Sequence, residues 1–130
     1  PFVDNTFECV IDIECIYANS YADSLLILDN IYRVLKPGGI LFSKTFGTGT
    51  SGDGSGSRLD GEKNTFTSLS EGPLKSEYGL IRFTSEGEIK KLYHAFENIE
   101  YDRLMRTDKN RKYEFREWVI SCNKPFAGKN

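Results

Sequence analysis

The stretch Arg-Val-Leu-Lys-Pro-Gly-Gly-Ile-Leu-Phe-Ser-Lys-Thr-Phe at residues 33–46 decides the fold of this chain. Apolar side chains recur at helical spacing up to its start, which predicts a helix of about three turns with one apolar stripe (Leu25, Leu28, Tyr32 and Leu35). Lys36 is placed to complement the dipole at the end of that helix, and the Pro-Gly-Gly sequence at residues 37–39 predicts a turn that stops it. Residues 40–46 then predict a strand.

A second strand is predicted upstream, at residues 7–11, where a mostly apolar run is closed by Asp12. Asp23 or Ser24 has a side chain suited to cap the helix that follows. Strand, helix, turn and strand form a βαβ unit, whose strands are parallel and whose crossover is nearly always right-handed.

The last third of the chain predicts a helix and an antiparallel hairpin. Residues 85–88 read as a capping box, and apolar residues then follow at spacings of three, four and seven (Ile89, Leu92, Tyr93 and Phe96). Two strand-like runs, residues 101–105 and 115–122, flank a polar turn at residues 107–110. The resulting order, β-α-β-loop-α-β-β, predicts an α/β fold with a layered sheet and one antiparallel strand near its edge.

Residues 47–80 are predicted to be a flexible loop on the substrate side of the sheet, because they are rich in Gly, Ser and Thr. Gly47 to Gly52 match the spacing G-x-G-x-x-G of dinucleotide-binding loops. That motif needs a helix beginning at its last glycine, and the glycines and serines after Gly52 predict none. A dinucleotide-dependent oxidoreductase, the least favoured alternative, would require such a helix.

Composition excludes several classes of function. A formal net charge of −2 with pI near 5.5 gives no overall attraction to nucleic acid, and the basic residues 103–112 read as a solvated hairpin. No apolar run approaches the ~20 residues of a membrane span. Three cysteines without CxxC spacing favour neither disulfides nor zinc, so we expect a reduced, cytoplasmic protein without a metal.

The residues in this order resemble the second half of class I S-adenosylmethionine-dependent methyltransferases that act on small molecules. The resemblance lies in Phe2-x-Asp4-x-x-Phe7-Glu8-x-Val10, in the helix end at residues 33–39, and in the closing strands around residues 82–85 and 118–125. It covers nearly all of residues 1–130 and thins over residues 47–79.

The resemblance implies a partial Rossmann-like sheet, namely strands four to seven of seven, in a family whose strand order is 3-2-1-4-5-7-6. The glycine-rich loop and the ribose-binding acid belong to strands one to three, which are not in this chain. We therefore expect the chain, which begins at Pro1 without a methionine, to be part of a longer protein. The strand at residues 7–11 should expose an unpaired edge that promotes homo-oligomers, segment swapping or packing against another polypeptide.

Ligands of open α/β sheets bind outside the carboxyl ends of the strands. With the resemblance, this implies cofactor contacts from the loop after the first strand (Asp12, Ile13 and Glu14). It implies acceptor contacts from that loop, from the end of the next strand, and from a later arginine (Tyr17, Asn19, Thr45, Phe46 and Arg82). Asp12 serves equally well as a polar strand end, and Arg82 equally well as a partner of a carboxylate.

The predicted activity is methyl transfer from S-adenosylmethionine to a small-molecule acceptor. We expect a longer enzyme to carry it out and this chain to be inactive on its own. The alternative is a non-catalytic half-domain that serves as an assembly module. Cys15 has no histidine near it in sequence to activate it as a nucleophile, and His94, the only histidine, reads as a structural or surface residue. No residue is singled out as a general base.

Overall fold

The structure is a computed structural model that describes residues 2–126. Its elements are β1 (Phe7–Ile13), a 3-10 turn (Ile16–Ala18), α1 (Tyr21–Val34), β2 (Leu35–Phe46), β3 (Thr65–Phe66), β4 (Ile81–Arg82), α2 (Glu86–Leu92), β5 (Glu97–Asp108) and β6 (Tyr113–Asn123). Four strands form one sheet in the order β1-β2-β6-β5, and β3 and β4 form a separate pair. This is the order 4-5-7-6 implied by the family resemblance.

The βαβ unit is confirmed: β1 and β2 are parallel, with Asp12 opposite Ser43. The Pro-Gly-Gly sequence lies within β2, because α1 ends at Val34 and passes directly into the strand. A Cβ atom on Gly39 would lie 2.8 Å from the Lys36 carbonyl oxygen and 3.1 Å from that of Glu8, so glycine permits the close approach of β1. Lys36 was expected to interact with the end of the helix. Its side chain instead contacts Glu8, with Nζ 2.7 Å from Oε1.

The cap of α1 differs from the prediction. Ser20 is the N-cap residue, and its hydroxyl oxygen accepts a hydrogen bond from the Asp23 N–H at 3.1 Å. The predicted caps, Asp23 and Ser24, lie in the first helical turn, so the helix begins earlier and has 14 residues. Ser20 caps the helix because its backbone is extended, with φ −64° and ψ 166°. This conformation lets its hydroxyl face the free N–H groups of the first helical turn.

Helix α2 and the hairpin match the prediction. The Glu88 carboxylate accepts hydrogen bonds from the Ser85 N–H (2.9 Å) and hydroxyl (2.8 Å), which confirms the capping box. β5 and β6 pair antiparallel around a turn at residues 109–112. Both helices pack on the face of the sheet that carries Leu41 and Ile120, both completely buried, and form the main core there.

Residues 47–80 have more regular structure than their composition predicts. β3 pairs with β4, and a second buried cluster lies beneath them (Phe46, Phe66, Leu69, Ile81, Phe83 and Phe115). The Thr50 hydroxyl accepts from the Arg116 N–H at 3.1 Å, which ties the segment to β6. A Cβ atom on Gly56 would collide with the Ser68 carbonyl oxygen, so this glycine permits close backbone packing. Flexibility of the segment stays a prediction.

β1 is an edge strand among residues 2–126, since it pairs with β2 alone. The sheet face opposite the helices is partly uncovered on this side, where Ile11 is 65% exposed, Ile13 48% and Ile40 47%. The unpaired edge expected at residues 7–11 is therefore present within the described part of the chain. Within the described residues, no helix combines the length and apolar character needed to cross a bilayer.

Candidate functional site

Asp12 organises the loop that follows β1. Its side chain is only 6% exposed, and Oδ1 accepts hydrogen bonds from the backbone N–H groups of Cys15 (3.1 Å) and Ile16 (3.2 Å). Oδ2 accepts from the Ser43 hydroxyl at 2.6 Å. The carboxylate thus holds the 3-10 turn against β2. A role for Asp12 in contacting a cofactor stays a prediction, and its present partners make it a positioning residue.

A buried relay extends from Asp12 to the end of α2. The Ser43 and Tyr93 hydroxyl oxygens lie 2.8 Å apart. Because the single Ser43 proton goes to Asp12, Tyr93 must donate to Ser43. Burial raises the pKa of Tyr93, so its hydroxyl stays protonated and keeps this role. We call Asp12, Ser43 and Tyr93 the hydroxyl relay, which ties α2 to the loop after β1.

The two residues that follow Asp12, namely Ile13 at the end of β1 and Glu14 in the loop after it, differ in environment. Ile13 is 48% exposed at the open edge, where it can contact a ligand or another polypeptide. Glu14 has φ of 54°, a left-handed backbone that is uncommon outside glycine, and its N–H donates to the Lys44 carbonyl oxygen at 2.8 Å. This turn directs the Glu14 carboxyl toward β6. Neither of its oxygens has a hydrogen-bond donor among residues 2–126.

An aromatic pair lies at the end of β2. The Tyr17 and Phe46 rings pack edge to face with their centroids 4.8 Å apart. Burial raises the pKa of Tyr17, and the electrostatic effects of the nearby Glu14 and Cys15 act in the same direction. Thr45 is 3% exposed, and its hydroxyl has no partner among residues 2–126. The structure therefore brings Glu14, Tyr17 and Phe46 together beside β2.

The other two residues predicted to bind the acceptor have structural partners. The Asn19 side-chain amide donates to the Cys15 and Ile16 carbonyl oxygens at 3.3 and 3.4 Å, which closes the 3-10 turn. The Arg82 side chain is 1% exposed and pairs with Glu88 at 3.0 Å. Of the two interpretations of Arg82, the structure therefore supports the carboxylate pair. Contacts of these residues with an acceptor stay predictions.

Sequence analysis missed Glu117, Ser43 and Tyr93. Glu117 is 1% exposed in β6, where Lys44 Nζ lies 3.3 Å from Oε2 and Arg106 Nε lies 3.2 Å from Oε1. The sequence did offer a signal for Glu117. It is an acidic residue between Phe115 and Val119, two apolar residues on the same face of a predicted strand. Ser43 and Tyr93 carried no signal, because each has an ordinary position in an apolar pattern and the relay forms only when β2 and α2 meet.

Three further candidates from the sequence are a metal cluster, His94 and the glycine motif. Within the part of the chain that the structure describes, no three His, Cys, Asp or Glu residues cluster as a metal site would require. His94 is exposed, and its ring nitrogen lies 3.1 Å from the Lys91 carbonyl oxygen. Gly47 to Gly52 lead into turns, and no helix begins after Gly52, as the sequence predicted.

An apolar cleft of about 230 Å³ lies between β1, the 3-10 turn and α1. Ile11, Ile16, Ile27 and Ile31 line it, with the polar Asp12 and Asn19 at one side. The cleft therefore joins the uncovered flank of β1 to the loop at its carboxyl end. This is the edge at which ligands of open α/β sheets bind.

Comparison with solved structures identifies the fold. A S-adenosylmethionine-dependent methyltransferase from Methanosarcina mazei superimposes with a TM-score of 0.74 at 19% identity, over 96% of this chain and 62% of its own. A 1,6-didemethyltoxoflavin-N1-methyltransferase from Burkholderia thailandensis, solved with 1,6-didemethyltoxoflavin and S-adenosylhomocysteine, gives 0.65 at 17% identity, over 94% of this chain and 45% of its own.

The same fold occurs with another activity. The [4+2]-cyclase SpnF superimposes with a TM-score of 0.59 at 16% identity, over 98% of this chain and 54% of its own. No model of a protein family and no curated protein sequence matches this chain. The chain spans less than two thirds of these neighbours, and the part that it aligns with has the mixed α/β, Rossmann-like fold of methyltransferases.

Proposed function

We propose that this chain is the acceptor-side part of a domain that transfers a methyl group from S-adenosylmethionine to a small molecule. The observation that carries the proposal is the strand order β1-β2-β6-β5. The loop at the carboxyl end of β1 is held in place by the hydrogen bonds of the Asp12 carboxylate. Two of the three structural neighbours described above carry the name methyltransferase, and one of them was solved with a small molecule and S-adenosylhomocysteine.

The residues present fit one end of the cofactor. The cleft beside Ile11, the exposed Ile13 and the fixed 3-10 turn form an open, partly apolar edge suited to its methionine part. In the resembling family, the acid that binds the ribose follows an earlier strand than the four strands of this sheet. A second polypeptide segment beside β1 would supply it, and the exposed edge of β1 supports such pairing.

When bound, S-adenosylmethionine supplies an activated methyl group on a positively charged sulfur. The residues of this chain would then orient the acceptor. The Tyr17 and Phe46 rings offer an apolar wall, and the hydroxyl relay keeps the loop from shifting. Methyl transfer depends mainly on alignment of the acceptor with the departing sulfur, so a rigid loop is a direct contribution to rate.

The second candidate is a non-catalytic module that binds a partner through the flank of β1. The exposure of Ile11 and Ile13 favours it. The cyclase among the neighbours also shows that this fold supports other chemistry, so function has to be tested at the site.

Calorimetric titration with S-adenosylhomocysteine separates the candidates. The chain alone should bind it very weakly, whereas a longer polypeptide that adds strands beside β1 should bind it tightly and transfer a labelled methyl group to a small molecule. NADH is the control ligand. A longer version that folds but binds neither compound would refute the methyltransferase proposal and favour the assembly module.

A further inference from the structure

Two glutamates meet beside the end of β2. Glu14 follows β1 and is joined to β2 by its backbone, while Glu117 lies in β6 opposite Phe46. Both Glu14 carboxyl oxygens are shielded from solvent. The Glu14 carboxyl group lies near enough to that of Glu117 for each to shift the pKa of the other.

The nearby cations are bound to Glu117 alone. Lys44 occupies one Glu117 oxygen at 3.3 Å, and Arg106 occupies the other at 3.2 Å. Glu14 has no donor, and a shielded carboxylate without a donor or a cation is strongly disfavoured. A protonated Glu14 resolves this, because a carboxylic acid O–H can donate to the Glu117 carboxylate.

The surrounding charges agree with this arrangement. Burial raises the pKa of Glu14 most, followed by the hydrogen bond to Glu117 and the Glu117 charge. Lys44 opposes the rise and Asp12 adds slightly to it, and together these effects bring the pKa to about 9. Burial also acts to raise the pKa of Glu117, but hydrogen bonds with Glu14, Lys44 and Arg106 outweigh it and lower that pKa. The proton therefore belongs on Glu14 and the charge on Glu117. Two further titratable groups lie close to Glu14, namely Tyr17 on the 3-10 turn and the adjacent Cys15.

We propose that Glu14 and Glu117 form a proton latch, in which the neutral Glu14 acid donates a hydrogen bond to the Glu117 carboxylate and holds residues 14–19 against β6. Loss of the Glu14 proton to water or hydroxide places two carboxylates side by side, and their repulsion loosens this loop. The latch follows from contacts within the chain, so it holds whether or not the loop receives a methyl acceptor.

Carbon-13 NMR of the glutamate carboxyl groups tests the latch directly. In the intact chain, one glutamate resonance should titrate near pH 9. Glu14→Gln should remove that resonance, and Glu8→Gln, which changes an exposed glutamate of β1, should leave it in place. Titration of Glu14 at or below the ordinary glutamate value of about 4.3 would show an ionised side chain and overturn the proposal.

Thermal unfolding provides the second measurement. The folded pKa of Glu14 lies above the ordinary glutamate value of about 4.3, so this group's stabilisation is complete below that pH and is lost as the pH rises toward 9. Glu14→Gln keeps a hydrogen-bond donor for Glu117 but does not titrate. The melting temperature of this variant, relative to that of the wild type, should therefore increase as the pH rises. Parallel curves for the two proteins would contradict the latch.

A third variant serves if Glu14→Gln does not fold. Glu117→Gln removes the charge that faces Glu14, so the Glu14 titration should move down from about 9. A Glu14 titration that is unchanged in Glu117→Gln would overturn the proposal.

Discussion

The hydroxyl relay predicts a specific pattern of stability losses. Tyr93 donates to Ser43 (2.8 Å) and Ser43 donates to Asp12 (2.6 Å), with Tyr93 1% exposed and Ser43 fully buried. Tyr93→Phe removes one neutral hydrogen bond with little change of volume, so it should lower the free energy of unfolding by about 1 kcal/mol.

Ser43→Ala should cost more than Tyr93→Phe. It removes a hydrogen bond to a charged acceptor, worth about 2 kcal/mol, and leaves the buried Tyr93 hydroxyl without a partner at about 1 kcal/mol more. In the double variant that hydroxyl is absent. The double variant should therefore lose about 1 kcal/mol less than the sum of the single losses.

Urea unfolding followed by circular dichroism measures all three losses, and each kcal/mol corresponds to roughly 4 °C in melting temperature for a chain of this size. Tyr32→Phe is the matched control, because the Tyr32 ring packs on Phe96 while its hydroxyl makes no hydrogen bond within residues 2–126. Additive losses, or a Tyr93→Phe variant as stable as the control, would refute the relay.

Two further predictions concern cysteines and the edge strand. Burial raises the pKa of the Cys122 thiol to about 12, whereas Cys9 and Cys15 are exposed. A thiol reagent at neutral pH should therefore label Cys9 and Cys15 in the folded chain, and Cys122 only after the chain is unfolded. Rapid labelling of Cys122 in the folded chain would contradict its burial. Light scattering should show self-association through β1, and Ile11→Lys should reduce it. Leu26→Lys is the control that should leave it unchanged, because Leu26 lies on α1 and is 61% exposed, close to the 65% of Ile11. A monomeric wild type would argue against an associating edge.

Local patterns predicted the elements of this fold well, because periodicity and turn chemistry act over a few residues. The Ser85–Glu88 capping box and the hairpin formed by β5 and β6 appear as expected. The start of α1 was placed too late, since Ser20 competes with Asp23 and Ser24 and only the backbone geometry selects among them.

The candidate site was predictable only in outline. The rule that ligands bind at the carboxyl ends of strands placed Asp12 and Glu14 at the right edge, but it did not distinguish their environments. Asp12 has three donors and Glu14 has none, and that difference depends on where Ser43 and the 3-10 turn come to lie.

The sequence by itself determined the order of helices and strands, the parallel βαβ unit and the unpaired edge at β1. Only the tertiary structure decided that Tyr93 and Glu117, 81 and 103 positions after Asp12 and Glu14 in the printed numbering, would complete the surroundings of the loop after β1. The physical reason is that a hydrogen bond or a pKa depends on distances of a few ångströms between segments far apart in the chain, and no periodicity along one strand encodes them.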